Sequence, residues 1–397
     1  MSKKKKRTLR IIGLLIIAVV MFSVSLRISR FVDLSRTDFF KIWLLSHMTV
    51  TGQNPYDEEQ WLENHKQNNI TWIPENKSLY PITLGMLLAP IGMLDYKLAF
   101  IVWIFLSQVM ILASIILCLK LWPGEFPRQF IFPTIAASIL FRPVIILLLG
   151  GQLSAMILLF LCATAYLWEK GNWKSGGFII AMSALKPNTG APLLGFLMIW
   201  LLFQKKWKGL LGLTMGVISI LLVGVLINPG WLREYILVGN QKLSDTFGFS
   251  PTLWGLASPI CRYQLNCVLF MGGSAVSLLG LVIGYILINN KNPVTPSPAI
   301  SLSIIGALLI TPYLWPYDQV LLILPILFIM KTLHSRYPYL VSATLFLCID
   351  LITIGLLLVT IRVEKENFNG LISILVFILV VWCLRLTTRS GFILKTA

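Results

Sequence analysis

The chain of 397 residues is 57% hydrophobic and only 12% charged, with a mean hydropathy of +0.81. Soluble domains carry about 25% charged residues, so the composition excludes one and points to an all-α, polytopic integral membrane protein. The formal charge of +17 is gathered at the ends of apolar runs, where topology and lipid headgroups account for it; no basic, aromatic-bearing soluble segment is there to bind nucleic acid.

The stretch MSKKKKRTLR precedes an apolar run from Ile11 to about Leu26. It is ordered like a signal peptide, but no small-residue cleavage site follows, so it reads as a first transmembrane helix with its basic end cytoplasmic. Residues 31–79 then form a first external loop, with seven acids against four bases, the reverse of the whole chain. Asp38 opens that loop just beyond the membrane exit. Two readings of this acid stand side by side: a helix cap, or a catalytic base at a membrane surface. From Asp38 to Val50, large apolar residues with Lys41, Ser46 and His47 interspersed suit a helix lying in the membrane interface, and Gly52 ends it. Asn54 and Pro55 look like the N-cap and first position of a short second helix through Trp61 and Leu62, with Asp57, Glu58 and Glu59 in its first turn.

Beyond Tyr80 the chain is almost continuously apolar, and a hydrocarbon core of about 30 Å takes about 20 helical residues to cross. Candidate spans lie at 98–119, 130–149, 153–168, 175–187, 188–203, 209–228, 268–289, 299–314, 317–332, 338–361 and 370–386, which with the first helix makes about twelve. The basic loops 120–128, 170–174 and 205–208, Lys291, the loop 331–336 and the tail from Arg385 all fall on the cytoplasmic side under one condition. Residues 80–94, broken by Pro81 and Pro90, must dip in and return as a re-entrant segment. The Asp38 loop, Gly150–Gln152, Lys186–Asn188, residues 228–265 and Thr311–Asp318 then share the external face of a single domain, 1–397. No inverted repeat of the kind that builds secondary transporters is visible.

Of the six cysteines, Cys118, Cys162, Cys348 and Cys383 lie in apolar spans and read as packing residues. Cys261 and Cys267 bracket RYQLN in an external loop and are the candidates for a disulfide. His47, His65 and His334 are too scattered for a zinc site.

Several polar residues interrupt the apolar spans. Lys186, before Pro187, either snorkels to the interface or offers an ammonium to an anion such as a lipid phosphate. Arg142, before Pro143, has a donor fork suited to phosphate or carboxylate, or pairs structurally with an acid such as Asp350. Gln152, after two glycines, can donate to and accept from a sugar hydroxyl, or mark a close helix contact. Asp318 opens a helix, where the dipole favours a carboxylate; the alternative is an acid that binds an acceptor hydroxyl or a cation, flanked by Tyr313, Trp315 and Tyr317. Aromatic rings there suit either a sugar face or the interfacial belt.

The ordered stretches DFFKIW with GQNPYD, LYPITLGMLLAPIG, GGQLSA running on to MSALKP, SPTLWG and TPYLWPYDQVLLILP resemble glycosyltransferase family 87. These are membrane glycosyltransferases of the GT-C type, which include polyprenol-phosphate-mannose-dependent α-mannosyltransferases. The resemblance covers residue 37 to about 325. It implies a GT-C fold with an external active site and a polyprenyl-phosphate-linked sugar donor, and an inverting displacement onto a lipid or glycan acceptor. Asp38 matches the family's catalytic base, Gln152 its GGQ motif and Lys186 its KP motif. Trp315-Pro316-Tyr317-Asp318 departs from the His-His pair of the family's mannosyltransferases, so the sugar is a hexose not fixed further.

The chemistry is coherent on its own terms. A carboxylate ionised at neutral pH takes the acceptor hydroxyl's proton, and the departing phosphate needs a cation, for which Lys186 and Arg142 are the candidates. A divalent metal would serve the same purpose, and no cluster of acids requires one. The localisation implied is a bacterial plasma membrane. The competing reading is a polytopic secondary transporter or lipid-linked sugar flippase, whose binding site would lie near the midplane and not in an acid-bearing external loop.

Overall fold

The computed structural model describes residues 3–73, 75–121, 130–242, 248–289 and 293–389. The basic segment 122–128, Lys291 and the tail beyond 389 lie outside the described residues. The first helix, α1, runs Lys3–Phe31. The acid-rich loop after it contributes α2 (Phe39–Val50) and α3 (Glu58–Gln67), followed by two short pieces, α4 (Ile82–Leu87) and α5 (Ala89–Gly92). Then come α6 (Tyr96–Lys120), α7 (Ile131–Leu140), α8 (Arg142–Gly150), α9 (Ser154–Glu169), α10 (Trp173–Ala181), α11 (Pro187–Phe203) and α12 (Trp207–Ile227). The chain closes with α13 (Trp231–Lys242), α14 (Leu253–Ile260), α15 (Leu265–Ile288), α16 (Pro296–Ile310), α17 (Ile323–His334), α18 (Tyr339–Val363) and α19 (Gly370–Arg389).

Among the described residues, seven helices are long and apolar enough to cross a membrane, or eight if the bent pair α7 and α8 counts as one. The other four expected spans are shorter: α9, α11 and α16 have 16, 17 and 15 residues, and 175–187 is divided between the 9-residue α10 and a 3-10 turn. Where 130–149 was expected to be continuous, the chain bends by 57°. Pro143 lacks an N–H and would clash with an unbroken helix behind it, so Phe141 leaves the helix and Arg142 restarts it. The segment 80–94 forms the 6- and 4-residue helices α4 and α5, neither able to cross by itself.

Helix α2 departs from the interfacial expectation. Phe39, Phe40, Ile42, Trp43, Leu44, Leu45 and Met48 are all buried, against α4, α5 and α6. Burying each such side chain away from water is worth about 1.5–3 kcal/mol, so α2 is an internal strut, not a float. A Cβ on Gly92 would come within 2.5 Å of the Ser46 backbone, which is why α5 can lie directly on α2. The next helix also starts later than expected. Asp57 is its N-cap, accepting from Gln60 N at 2.9 Å, while Asn54 accepts from Tyr56 N at 3.1 Å and so turns the chain ahead of it. Cys261 and Cys267 form a disulfide.

Candidate active site

Asp38 occupies the N-cap position of α2, yet its side chain makes no capping hydrogen bond. The carboxylate turns instead to two partners. Oδ1 pairs with Lys41 Nζ at 2.7 Å, one turn along α2, and Oδ2 accepts from Gln152 Nε2 at 2.6 Å. Lys41 also pairs with Glu75 at 3.2 Å. Burial works against the Lys41 charge, but Asp38 and Glu75 outweigh it and raise its pKa above the ordinary lysine value.

Gln152 reaches Asp38 because of the residue before it. Gly151 has φ +64°, a left-handed conformation that glycine adopts freely. A Cβ there would come within 2.6 Å of the Phe39 side chain. Trp103 Nε1 donates to the Gly151 carbonyl at 2.8 Å and fixes the turn. The Gln152 Oε1 atom is buried without a hydrogen-bond partner among the described residues.

A second charged pair lies next to the first. Lys186 follows a 3-10 turn, Met182–Leu185, and precedes Pro187. The proline pushes the residue before it out of the helical region, and Lys186 accordingly sits at φ −123°, ψ 80°. Its side chain does not snorkel: it is 4% exposed and ion-paired with Asp318, itself 1% exposed. Ser154 donates to Asp318 and accepts from Lys186 Nζ at 2.8 Å. The Lys186 ammonium also stands over the Tyr317 ring, 5.0 Å from its centre. Asp318 comes from a second 3-10 turn, Pro316–Leu322, and its Oδ2 accepts a long hydrogen bond of 3.5 Å from Trp315 N, so part of its expected end-of-helix role is present too.

Tyr80 and Tyr313 line the same space. Burial raises the Tyr80 pKa, and Asp38, Tyr313, Glu75 and Asp318 add to the effect, so both carboxylate pairs act on one phenol. Tyr313 OH accepts from Trp315 Nε1 at 2.7 Å, and its backbone carbonyl accepts from Asn188 Nδ2 at 3.2 Å. Trp315 therefore braces Tyr313.

Arg142 stands apart from these two pairs. Nη1 donates to Asn369 Oδ1 at 2.8 Å and Nη2 pairs with Glu366 at 3.3 Å. The expected partner, Asp350, is not used: its Oδ1 has no hydrogen-bond partner among the described residues. Glu366 lies where α18 ends and the turn Asn367–Asn369 begins, the end of the bundle that Arg142 can reach. Among the described residues, no group of three or more His, Cys, Asp or Glu is placed to hold a metal ion.

Lys41, Glu75, Tyr80 and Ser154 escape a reading of the sequence as site residues. Lys41 is detectable in principle, one helical turn after Asp38. Glu75 is one of several acids in its loop and nothing local distinguishes it.

The profile of glycosyltransferase family 87 matches residues 79–312, more than half of the chain. That region includes Tyr80, Gln152 and Lys186, while Asp38 and Asp318 lie on either side of it. No curated protein matches the chain, and no solved structure does. The family match and the apolar helices together make this a membrane protein, and the chain belongs to glycosyltransferase family 87.

Proposed function

We propose that the protein is an inverting GT-C-type hexosyltransferase. It transfers one sugar, mannose or a similar hexose, from a polyprenyl-phosphate donor to a lipid or glycan acceptor at the extracytoplasmic face. The observation that carries this reading is the Asp38 carboxylate, which is held by Lys41 and Gln152 and spends neither oxygen on capping its helix.

In this reading Asp38 takes the proton of the acceptor hydroxyl as its oxygen attacks the anomeric carbon. The bond from that carbon to the phosphate oxygen breaks, and the bonding pair leaves with the polyprenyl phosphate. Lys186 meets the charge that develops there. Its ammonium is kept oriented by Asp318 and Ser154, so donor phosphate competes with Asp318 for the same cation. Gln152 orients the base, and Tyr317 and Trp315 line the sugar and acceptor side together with Asp318. We assign Arg142 to holding the Glu366–Asn369 turn on α8, since its guanidinium is engaged there.

The stereochemistry tests this. Purified protein in lipid, given polyprenyl-phosphate-linked mannose or glucose labelled at the anomeric carbon, should yield product of the opposite anomeric configuration by NMR. Product of the donor's own configuration contradicts a single displacement.

A further inference from the structure

Lys41 stands between two carboxylates fixed by different parts of the chain. Its ammonium is 2.7 Å from Asp38 Oδ1, 3.2 Å from Glu75 Oε2 and 3.3 Å from Glu75 Oε1. Glu75 is anchored independently, because Trp61 Nε1 donates to its backbone carbonyl at 3.0 Å and its side chain is only 5% exposed. Asp38 is anchored by the start of α2 and by Gln152. The cation is thus shared, and the three groups together carry one net negative charge.

That sharing matters to a base. An aspartate paired with a lysine alone is well oriented but loses proton affinity to the neighbouring positive charge. A second carboxylate on the same ammonium offsets that loss and leaves the orientation intact. We infer that Asp38, Lys41 and Glu75 work as one proton-accepting unit, in which Lys41 aims Asp38 and Glu75 preserves its basicity. The inference rests on the reading of Asp38 as the base. Lys41 and Glu75 are positioning residues in it, and neither has to touch substrate. The acceptor's proton goes to Asp38 and later to solvent, while Lys41 keeps its own throughout.

The other groups that face Asp38 do not duplicate this role. Tyr80, Tyr313 and Tyr317 sense the Asp38 charge, but phenols are neutral at neutral pH. Lys186 and Asp318 compensate each other. Lys41 and Glu75 carry opposite charges beside Asp38, so they act on it in opposite directions.

Opposite signs make the test. The carboxylate band lost in Asp38→Asn is titrated by infrared difference spectroscopy on full-length protein in nanodiscs, with no substrate. Removing the positive charge in Lys41→Met should move the midpoint up. Removing the negative charge in Glu75→Gln should move it down. Each shift is expected to be about one pH unit or more, with Lys41→Arg close to wild type. Because Glu75→Gln changes one atom type and little volume, its downward shift is required even if Lys41→Met does not fold. Midpoints that stay put, or that move the same way in both variants, overturn the inference. In parallel, transfer from farnesyl-phosphate-linked mannose and glucose to octyl mannoside is compared for wild type and Asp38→Asn. Unchanged transfer in Asp38→Asn overturns the base reading and this inference with it. A dead Asp38→Asn with unmoved infrared midpoints overturns only the three-residue unit.

Discussion

Asp38 and Gln152 lie 114 positions apart in the chain and meet in a hydrogen bond of 2.6 Å. The contact joins the acid-rich loop to the turn between α8 and α9, and the left-handed Gly151 makes it reachable. Gln152 was expected to face a sugar; the structure points its amide at the carboxylate. Replacing it by alanine should leave KM nearly unchanged and lower kcat by about 10- to 100-fold, because orientation of the base is what is lost. Steady-state kinetics decide the matter: a raised KM with intact kcat would assign Gln152 to substrate binding instead.

The Lys186–Asp318 pair predicts a separation of stability from activity. Removing one partner of a buried pair leaves an uncompensated charge and costs about 3–5 kcal/mol, whereas replacing both by apolar groups is often neutral. Asp318→Asn alone should therefore melt well below wild type. Lys186→Met combined with Asp318→Leu should recover most of that loss while sugar transfer stays abolished. Recovery of both transfer and stability in the double variant would remove Lys186 from the chemistry.

Arg142 gives a prediction of the opposite kind. With its fork on Asn369 and Glu366, Arg142→Met should lower the thermal midpoint, since it leaves Glu366 unpaired on one side. The donor KM should stay within about twofold of wild type. A tenfold rise in donor KM would place Arg142 at the phosphate after all.

How much of this could be read in the sequence follows from which interactions are local. Asp38 is conspicuous because it begins the polar loop after the first span, and Lys186 and Asp318 because prolines break the apolar runs beside them. Their pairing is not visible, since 132 positions separate Lys186 from Asp318. Arg142 advertises that it needs an acid, but Asp350 and Glu366 are equally good candidates until the helices are placed. The apolar residues of α2 look the same whether lipid or protein covers them, which is why an interfacial helix was the natural expectation and a buried strut the outcome. Glu75 becomes a site residue only through the Trp61 contact that fixes its loop.

Alkaline pH should loosen the layer around the candidate site. Burial pushes the phenols of Tyr313 and Tyr235 up to about 12, and that of Tyr56 higher still. The folded state thus favours the protonated phenol, while an unfolded tyrosine ionises near about 10. The stabilisation is complete below about pH 10 and is lost as pH rises towards the folded values. Thermal unfolding from pH 8 to 12 should show a midpoint that falls above about pH 10, less steeply in Tyr313→Phe. A flat midpoint across that range would mean these phenols are as hydrated folded as unfolded.

The central claim is that Asp38 is the base. Its most direct measurement is transfer of labelled hexose from a polyprenyl-phosphate donor by wild type and Asp38→Asn, with matched folding confirmed by their thermal midpoints. The substitution keeps the shape of the side chain and removes its ability to take a proton, so kcat should fall by about 100-fold or more. Equal rates for the two proteins would contradict the account.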